Sequence, residues 1–266
     1  MTFNSALLKK KVQKGLTIPN GTLFFGKTAK LMGLTVITCS RKEYDEWLIE
    51  HIKTTCGVED VSIYFITNQD NEGLSKVYNH FLEEENNSND ITVFIHDDIK
   101  FYKDGWGKEL LRLFEEHEDY GIIGVAGSAQ FGGAGRWWDS EKRYGQVLHC
   151  NGEERWLSMF SEKIEDGLEE VCCIDGLFMA VHRKRITKKF DEDFTFDFYD
   201  ISFCLANYAD GKTKIGVTTN ISVAHQSIGN LRDEWTASRD RLFEKYKGIL
   251  PIDMPKKTQN PKTAKQ

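Results

Sequence analysis

Hydrophobic residues in the first half of the chain fall into two arrangements, short unbroken runs and longer stretches with helical spacing. Residues 34–38, Leu34-Thr35-Val36-Ile37-Thr38, form the first run, and a short apolar segment without charge is what a strand buried on both faces of a parallel sheet requires. Ser40 and Glu43 have the spacing of a capping box, which predicts a helix directly after that strand with Tyr44, Trp47, Leu48, Ile52 and Cys56 on one face. Gly57 supplies its stop. A second strand is predicted over 61–67. After Asn68-Gln69-Asp70-Asn71 comes a helix whose apolar positions Leu74, Val77, Tyr78, Phe81 and Leu82 keep the i, i+3, i+4, i+7, i+8 pattern. A polar break over 83–90 then leads into Ile91-Thr92-Val93-Phe94-Ile95. Strand, helix, strand, helix, strand at these spacings predicts an α/β domain with a Rossmann-like, mostly parallel central sheet flanked by helices.

The second half is less periodic. Residues 121–127 read as another buried strand, followed by a segment of glycines around Trp137-Trp138, and 171–181 as a strand pair broken by Asp175-Gly176. Residues 194–205 run into a helix that Gly211 ends. Strands over 213–218 and 221–224 lead into His225, and Trp235, Leu242, Phe243 and Tyr246 mark a closing helix. The expected organisation is an N-terminal extension (1–33) without assignable elements, one domain (34–250), and a disordered tail (251–266) of Lys, Pro, Gln and Thr.

Composition narrows the function. A net charge of −6 over 266 residues, 35 Lys and Arg against 41 Asp and Glu, argues against nucleic acid as the main partner. The six cysteines include no C-x-x-C pair, which fits reduced thiols in a cytosol. No apolar stretch approaches the ~20 residues of a transmembrane helix, and no signal-type apolar core follows the basic Lys9, Lys10, Lys11 and Lys14. A soluble, cytoplasmic protein is expected, free or peripheral to a membrane.

The strongest chemical signal is His96-Asp97-Asp98, directly after the 91–95 strand. In open α/β sheets ligands sit beyond the carboxyl ends of the strands, and adjacent carboxylates bind little well except a hard divalent cation. A solvated acidic turn would have the same composition. The chain has neither G-x-G-x-x-G nor G-x-x-x-x-G-K-[ST], so the usual glycine cradles for a dinucleotide or a triphosphate are absent. A nucleotide bound here would use polar groups at the strand tips, such as Thr38, Ser40 and Asn68, with its diphosphate neutralised by a metal at Asp97 and Asp98. Trp137 and Trp138, flanked by glycines, form a predicted mobile loop over 131–156 with flat faces suited to sugar rings; they could equally anchor a long loop.

The order of these features, together with Gly73-Leu74-Ser75-Lys76-Val77-Tyr78-Asn79, resembles a family 2 type glycosyltransferase of the GT-A fold over residues 34–247. The resemblance implies that His96-Asp97-Asp98 stands where the family has its DXD motif, which holds Mn²⁺ or Mg²⁺ against the diphosphate of a nucleotide sugar. His96 replaces the first Asp, and Asp98 matches the most direct metal ligand, with Asp97 on the donor side. Asp175-Gly176 is similar to the segment beneath the acceptor site. Tyr199-Asp200 stands where the family carries Glu-Asp, retaining the Asp that serves as general base. His225, in His225-Gln226-Ser227-Ile228-Gly229, is similar to the His that completes the metal or diphosphate site. Together these imply a hexosyltransferase that uses a UDP- or GDP-sugar and a glycan or other hydroxyl acceptor, with inversion. A retaining glycosyltransferase, a nucleotidyltransferase and a non-catalytic glycan-binding module are the other readings. Asp200 could be only a helix-start carboxylate favoured by the helix dipole, and a His at a strand end is often structural.

Overall fold

The computed structural model describes residues 12–14, 33–83, 86–226, 231 and 233–255. The βα units of the first half form as their periodicity predicts. Strands β2 (Leu34–Ser40), β3 (Val61–Thr67) and β4 (Ile91–Ile95) are joined by helices α1 (Glu46–Cys56) and α2 (Leu74–Leu82), and β2 pairs in parallel with both β3 and β4. Helix α2 buries Leu74, Val77, Tyr78, Phe81 and Leu82, the stripe its spacing specifies. Helix α1 ends at Gly57, which adopts the left-handed φ of 75° that favours glycine. Its start differs from the expected Ser40–Glu43 box. Asp45 is the cap, accepting from the Leu48 N–H at 3.1 Å, while Tyr44 and Trp47 stay exposed. The Ser40 side chain is engaged elsewhere, with Asp97.

The central sheet is mixed, not mostly parallel. Its order is β1-β3-β2-β4-β13-β6-β14-β11, with β1 (Val12–Lys14), β6 (Tyr120–Gly124), β11 (Glu169–Val171), β13 (Phe178–His182) and β14 (Lys214–Val217). Strand β13 runs antiparallel to both neighbours, β4 and β6. A strand buried along its whole length carries the same unbroken apolar run in either direction, so the pattern could not reveal this. The 171–181 segment is likewise no hairpin. Its first part, β12 (Cys173–Ile174), joins a second sheet, and β13 enters the central one.

That second sheet has the order β12-β7-β9-β15-β5, built from β7 (Ala126–Ser128), β9 (Arg143–Cys150), β15 (Val223–His225) and β5 (Ile99–Phe101), with β10 (Arg155–Met159) paired to β9. Segment 131–156 is therefore largely regular structure: β9, the start of β10 and a 3₁₀ turn at Trp137–Asp139, preceded by β8 (Gln130–Phe131). Helices α3 (Trp106–Glu116), α4 (Tyr199–Asp210) and α5 (Asp233–Lys245) complete the fold. The folded region passes the expected boundary at 250. Strand β16 (Ile252–Asp253) pairs with β8, and the Lys142 ammonium donates to the Met254 carbonyl at 2.7 Å. Residues 256–266 of the expected tail lie outside the described residues. Of the N-terminal extension, β1 lies antiparallel along the edge of β3, and Gly33 precedes β2. No helix among the described residues is long and apolar enough to cross a membrane.

Candidate active site

The carboxyl end of β4 and the end of β15 meet at the floor of a cleft of about 1030 Å³. The β2 and β3 tips line it on one side, and β9, β10 and the 3₁₀ turn on the other. His96 follows directly after β4, its N–H held by the Leu177 carbonyl at 3.1 Å. The chain turns at Asp97-Asp98 into β5, which pairs with β15 so that Ile99 faces His225. The Gln226 N–H donates to the Asp98 carbonyl at 2.9 Å, closing this corner.

Three side chains of different origin converge there. His225 Nε2 lies 3.3 Å from Asp98 Oδ1 and 3.5 Å from His96 Nδ1. The three ligand atoms all fall within 4.8 Å of one another. Neighbouring donor atoms around one divalent ion, each at about 2.1 Å from it, are about 3 Å apart, close to the two separations that His225 makes. Two imidazoles and one carboxylate suit a first-row transition ion better than Mg²⁺, which prefers an all-oxygen shell.

The electrostatics divide the two histidines. Burial, then the neighbouring His225, hold His96 below the ordinary imidazole range. Burial also pushes His225 down, but the hydrogen bond and charge of Asp98, with Asp175 and Asp97 behind it, outweigh this and raise it. Tyr199 touches the other ring nitrogen of His96. Its phenol has one proton and donates it to the Gly176 carbonyl at 3.1 Å. With its proton on that carbonyl, the phenol oxygen can accept the His96 Nε2–H across the 3.1 Å contact, an arrangement that leaves the Nδ1 lone pair facing Asp98 and His225. His96 and Tyr199 thus form one hydrogen-bonded pair.

Asp97 is not part of this set. Its Oδ2 accepts from the Ser40 hydroxyl at 2.5 Å and lies 3.3 Å from the Lys42 ammonium, on the β2 side of the cleft. Asn68 borders the same side, but its amide is spent on the turn ahead of α2, bonding Glu72 N and O at 2.9 and 2.8 Å. Thr38 is fully buried and does not line the cleft. Trp137 and Trp138 do line it. Trp137 is 5% exposed and packs edge-on against Phe160, so it is anchored as well as facing the cleft.

Asp175 fronts the cleft, its Oδ1 accepting from the Leu177 N–H at 2.9 Å. Behind it, Asp200 Oδ2 accepts from the Gly176 N–H at 2.7 Å and Oδ1 from the Ile201 N–H at 2.8 Å. A Cβ at Gly176 would stand 2.1 Å from the Tyr199 hydroxyl and 3.1 Å from Asp200 Oδ2, so only glycine leaves this corner open. Burial and the neighbouring Asp175 push the Asp200 carboxyl up to about 7, against the pull of its backbone N–H donors.

Residues 35–246 match the glycosyltransferase-like family. The chain belongs to this family. No curated protein sequence matches it. Among solved structures, GalNAc-T7 with UDP, GalNAc and Mn²⁺ superposes with a TM-score of 0.50 at 11% identity, over 82% of this chain and 50% of that one. A197 from STIV gives a TM-score of 0.39 at 12% identity, over 76% of this chain and 97% of that one. At 11% identity the likeness to GalNAc-T7 concerns the fold, a mixed α/β domain consistent with GT-A, and its match spans half of that longer chain.

Several side chains of this glycosyltransferase-like cleft escaped the sequence reading. His149, Trp156, Phe160 and Arg136 all border it. His149 lies beside His225 in the parallel β9–β15 register and opposite Trp156 in the β9–β10 register. The detectable signal was the alternation of Trp156 and Ser158 in β10 with Phe160 just after it, every second residue and all on the cleft side.

Proposed function

We propose that the protein is a metal-dependent glycosyltransferase that moves a sugar from a nucleoside-diphosphate sugar to an acceptor hydroxyl with inversion at the anomeric carbon. The observation that carries this reading is the convergence of His96, Asp98 and His225 at the floor of the cleft. These residues would hold Mn²⁺, which supplies positive charge to the departing diphosphate. GalNAc-T7, bound to UDP, GalNAc and Mn²⁺, supports a UDP-sugar and that ion. Ser40, Asp97 and Lys42 form the donor side, where a ribose hydroxyl can bond Asp97 and the ammonium can meet a phosphate. Trp137, Trp138 and Asp175-Gly176 face the acceptor.

Asp200 is the proposed general base. A carboxyl near 7 is poised to accept a proton at neutral pH, and the absence of a Cβ at Gly176 keeps a side chain from crowding its Oδ2. Inversion needs only this one carboxylate opposite the leaving group, unlike glycoside hydrolysis, which needs a second, acidic one. A retaining mechanism is the second reading, favoured by the backbone N–H bonds on both Asp200 oxygens and by its place behind Asp175. The anomeric configuration of the product, read by NMR, separates the two. The broader test is a thermal-shift panel of nucleotide sugars with and without Mn²⁺. One nucleotide series should stabilise the protein only with the metal; stabilisation that survives EDTA unchanged would remove the metal from the reading.

A further inference from the structure

The acceptor side of the cleft contains a pair of rings with no role in the reading above. Trp156 stacks on His149 with ring centroids 5.4 Å apart and an interplanar angle of 19°. Strand register sets this contact, because Trp156 and His149 are direct cross-strand partners in the antiparallel β9–β10 hairpin. Trp156 is still 36% exposed, and both residues border the cleft. One indole face rests on the imidazole, and no other ring contact to Trp156 is found among the described residues. The imidazole of His149 brings ring nitrogens that can hydrogen-bond a hydroxyl.

The pair stands close to the proposed chemistry. His149 shares the β9–β15 register with His225, and their ring centroids are 6.2 Å apart. A molecule lying on Trp156 therefore reaches the His96–Asp98–His225 corner across a single side chain. Ser158, two residues along β10 and on the same face, adds a hydroxyl to the rim, and Asp175 adds a carboxylate.

We infer that His149 and Trp156 form a saccharide platform, so that the acceptor of this enzyme is a sugar ring and not a peptide or lipid hydroxyl. This rests on the glycosyltransferase reading. A pyranose presents one apolar face of C–H groups and a rim of hydroxyls. Trp156 offers a flat apolar surface for the face, while His149, Ser158 and Asp175 offer donors and acceptors for the rim. An acyl chain in the same place would strip water from Asp175, Asp98 and three histidines without replacing their hydrogen bonds. An extended peptide could add to the edge of β10, which pairs only with β9 among the described strands, but its side chains would leave the ring face unused.

The test uses the full chain with Mn²⁺ and the nucleoside diphosphate that binds it best, probed by saturation-transfer NMR and fluorescence titration with methyl glycosides of common hexoses and N-acetylhexosamines. At least one glycoside should bind. Trp156→Ala should weaken it about tenfold, Trp156→Phe should restore part of the loss, and His149→Ala should weaken it severalfold while shifting preference among glycosides that differ in one hydroxyl. Glycoside affinity unchanged by Trp156→Ala, or binding of a Ser/Thr peptide where no glycoside binds, overturns the inference. Failure of the glycosyltransferase reading looks different: no nucleoside diphosphate would bind the wild-type protein with Mn²⁺, whether or not glycosides do.

Discussion

The two sheets bring residues to the cleft by different routes. In the central sheet, β2, β3 and β4 follow one another in βα units, and their tips deliver Ser40, Asn68 and His96 from successive segments. In the second sheet, β5 pairs with β15 and β15 with β9, so Asp98, His149 and His225 meet only because distant strands align. The first route gives local supports: Asn68 is tied to Glu72, four residues on. The second makes the proposed metal corner depend on the whole fold, since His96 leaves β4 of the central sheet, Asp98 leads into β5 and His225 ends β15 of the second sheet.

The largest expected effect sharpens this comparison at the seam itself. Asp200→Asn keeps the size of the side chain and removes the proton acceptor, so turnover should fall at least about a hundredfold while nucleoside-diphosphate affinity, set on the β2 side, stays within twofold. Single-turnover kinetics beside a binding titration checks both. A fully active Asp200→Asn enzyme would remove Asp200 as base and favour the retaining mechanism.

Tyr199→Phe should act next most strongly, and on the metal. Without the phenol, the His96 N–H loses its acceptor and the Nδ1 tautomer its bias, so Mn²⁺ affinity measured by calorimetry should drop about tenfold. Unchanged affinity would mean that the His96–Tyr199 contact is packing alone.

The smallest effect is on stability. A folded Asp200 carboxyl near 7 binds a proton more tightly than the unfolded chain does, so the folded state carries the extra proton between about pH 4 and 7 and loses stability as pH rises through that window. In EDTA, Asp200→Asn should therefore melt at or above the wild-type temperature at pH 8, by on the order of 1–2 kcal/mol, and converge with it near pH 5. Melting curves whose difference is the same at both pH values would show that Asp200 is already ionised in the fold.

Legibility followed the same division. The βα half was readable because short apolar runs and the α2 stripe at Leu74, Val77, Tyr78, Phe81 and Leu82 are local signals. The direction of β13 was not, since complete burial erases the alternation that distinguishes one sheet environment from another. The Ser40–Glu43 box failed because the Ser40 hydroxyl bonds Asp97, 57 positions away, and Asp45 takes the cap. Thr38 looked like a strand-tip donor ligand but lies inside the sheet, fully buried. His149 and Trp156 stayed hidden because β9 and β10 are partly exposed strands amid glycines and charges, and their meaning comes from register with His225.

The central claim is that one divalent ion joins the two sheets through His96, Asp98 and His225. Pulsed EPR of Mn²⁺ added to the protein tests it directly, because imidazole nitrogens bound to the ion give resolved ¹⁴N couplings. One tightly bound Mn²⁺ should couple to two imidazole nitrogens, with one coupling lost in His96→Ala, the other in His225→Ala, and most of the binding lost in Asp98→Asn. Bound Mn²⁺ without nitrogen coupling, or couplings that survive both histidine substitutions, would contradict it.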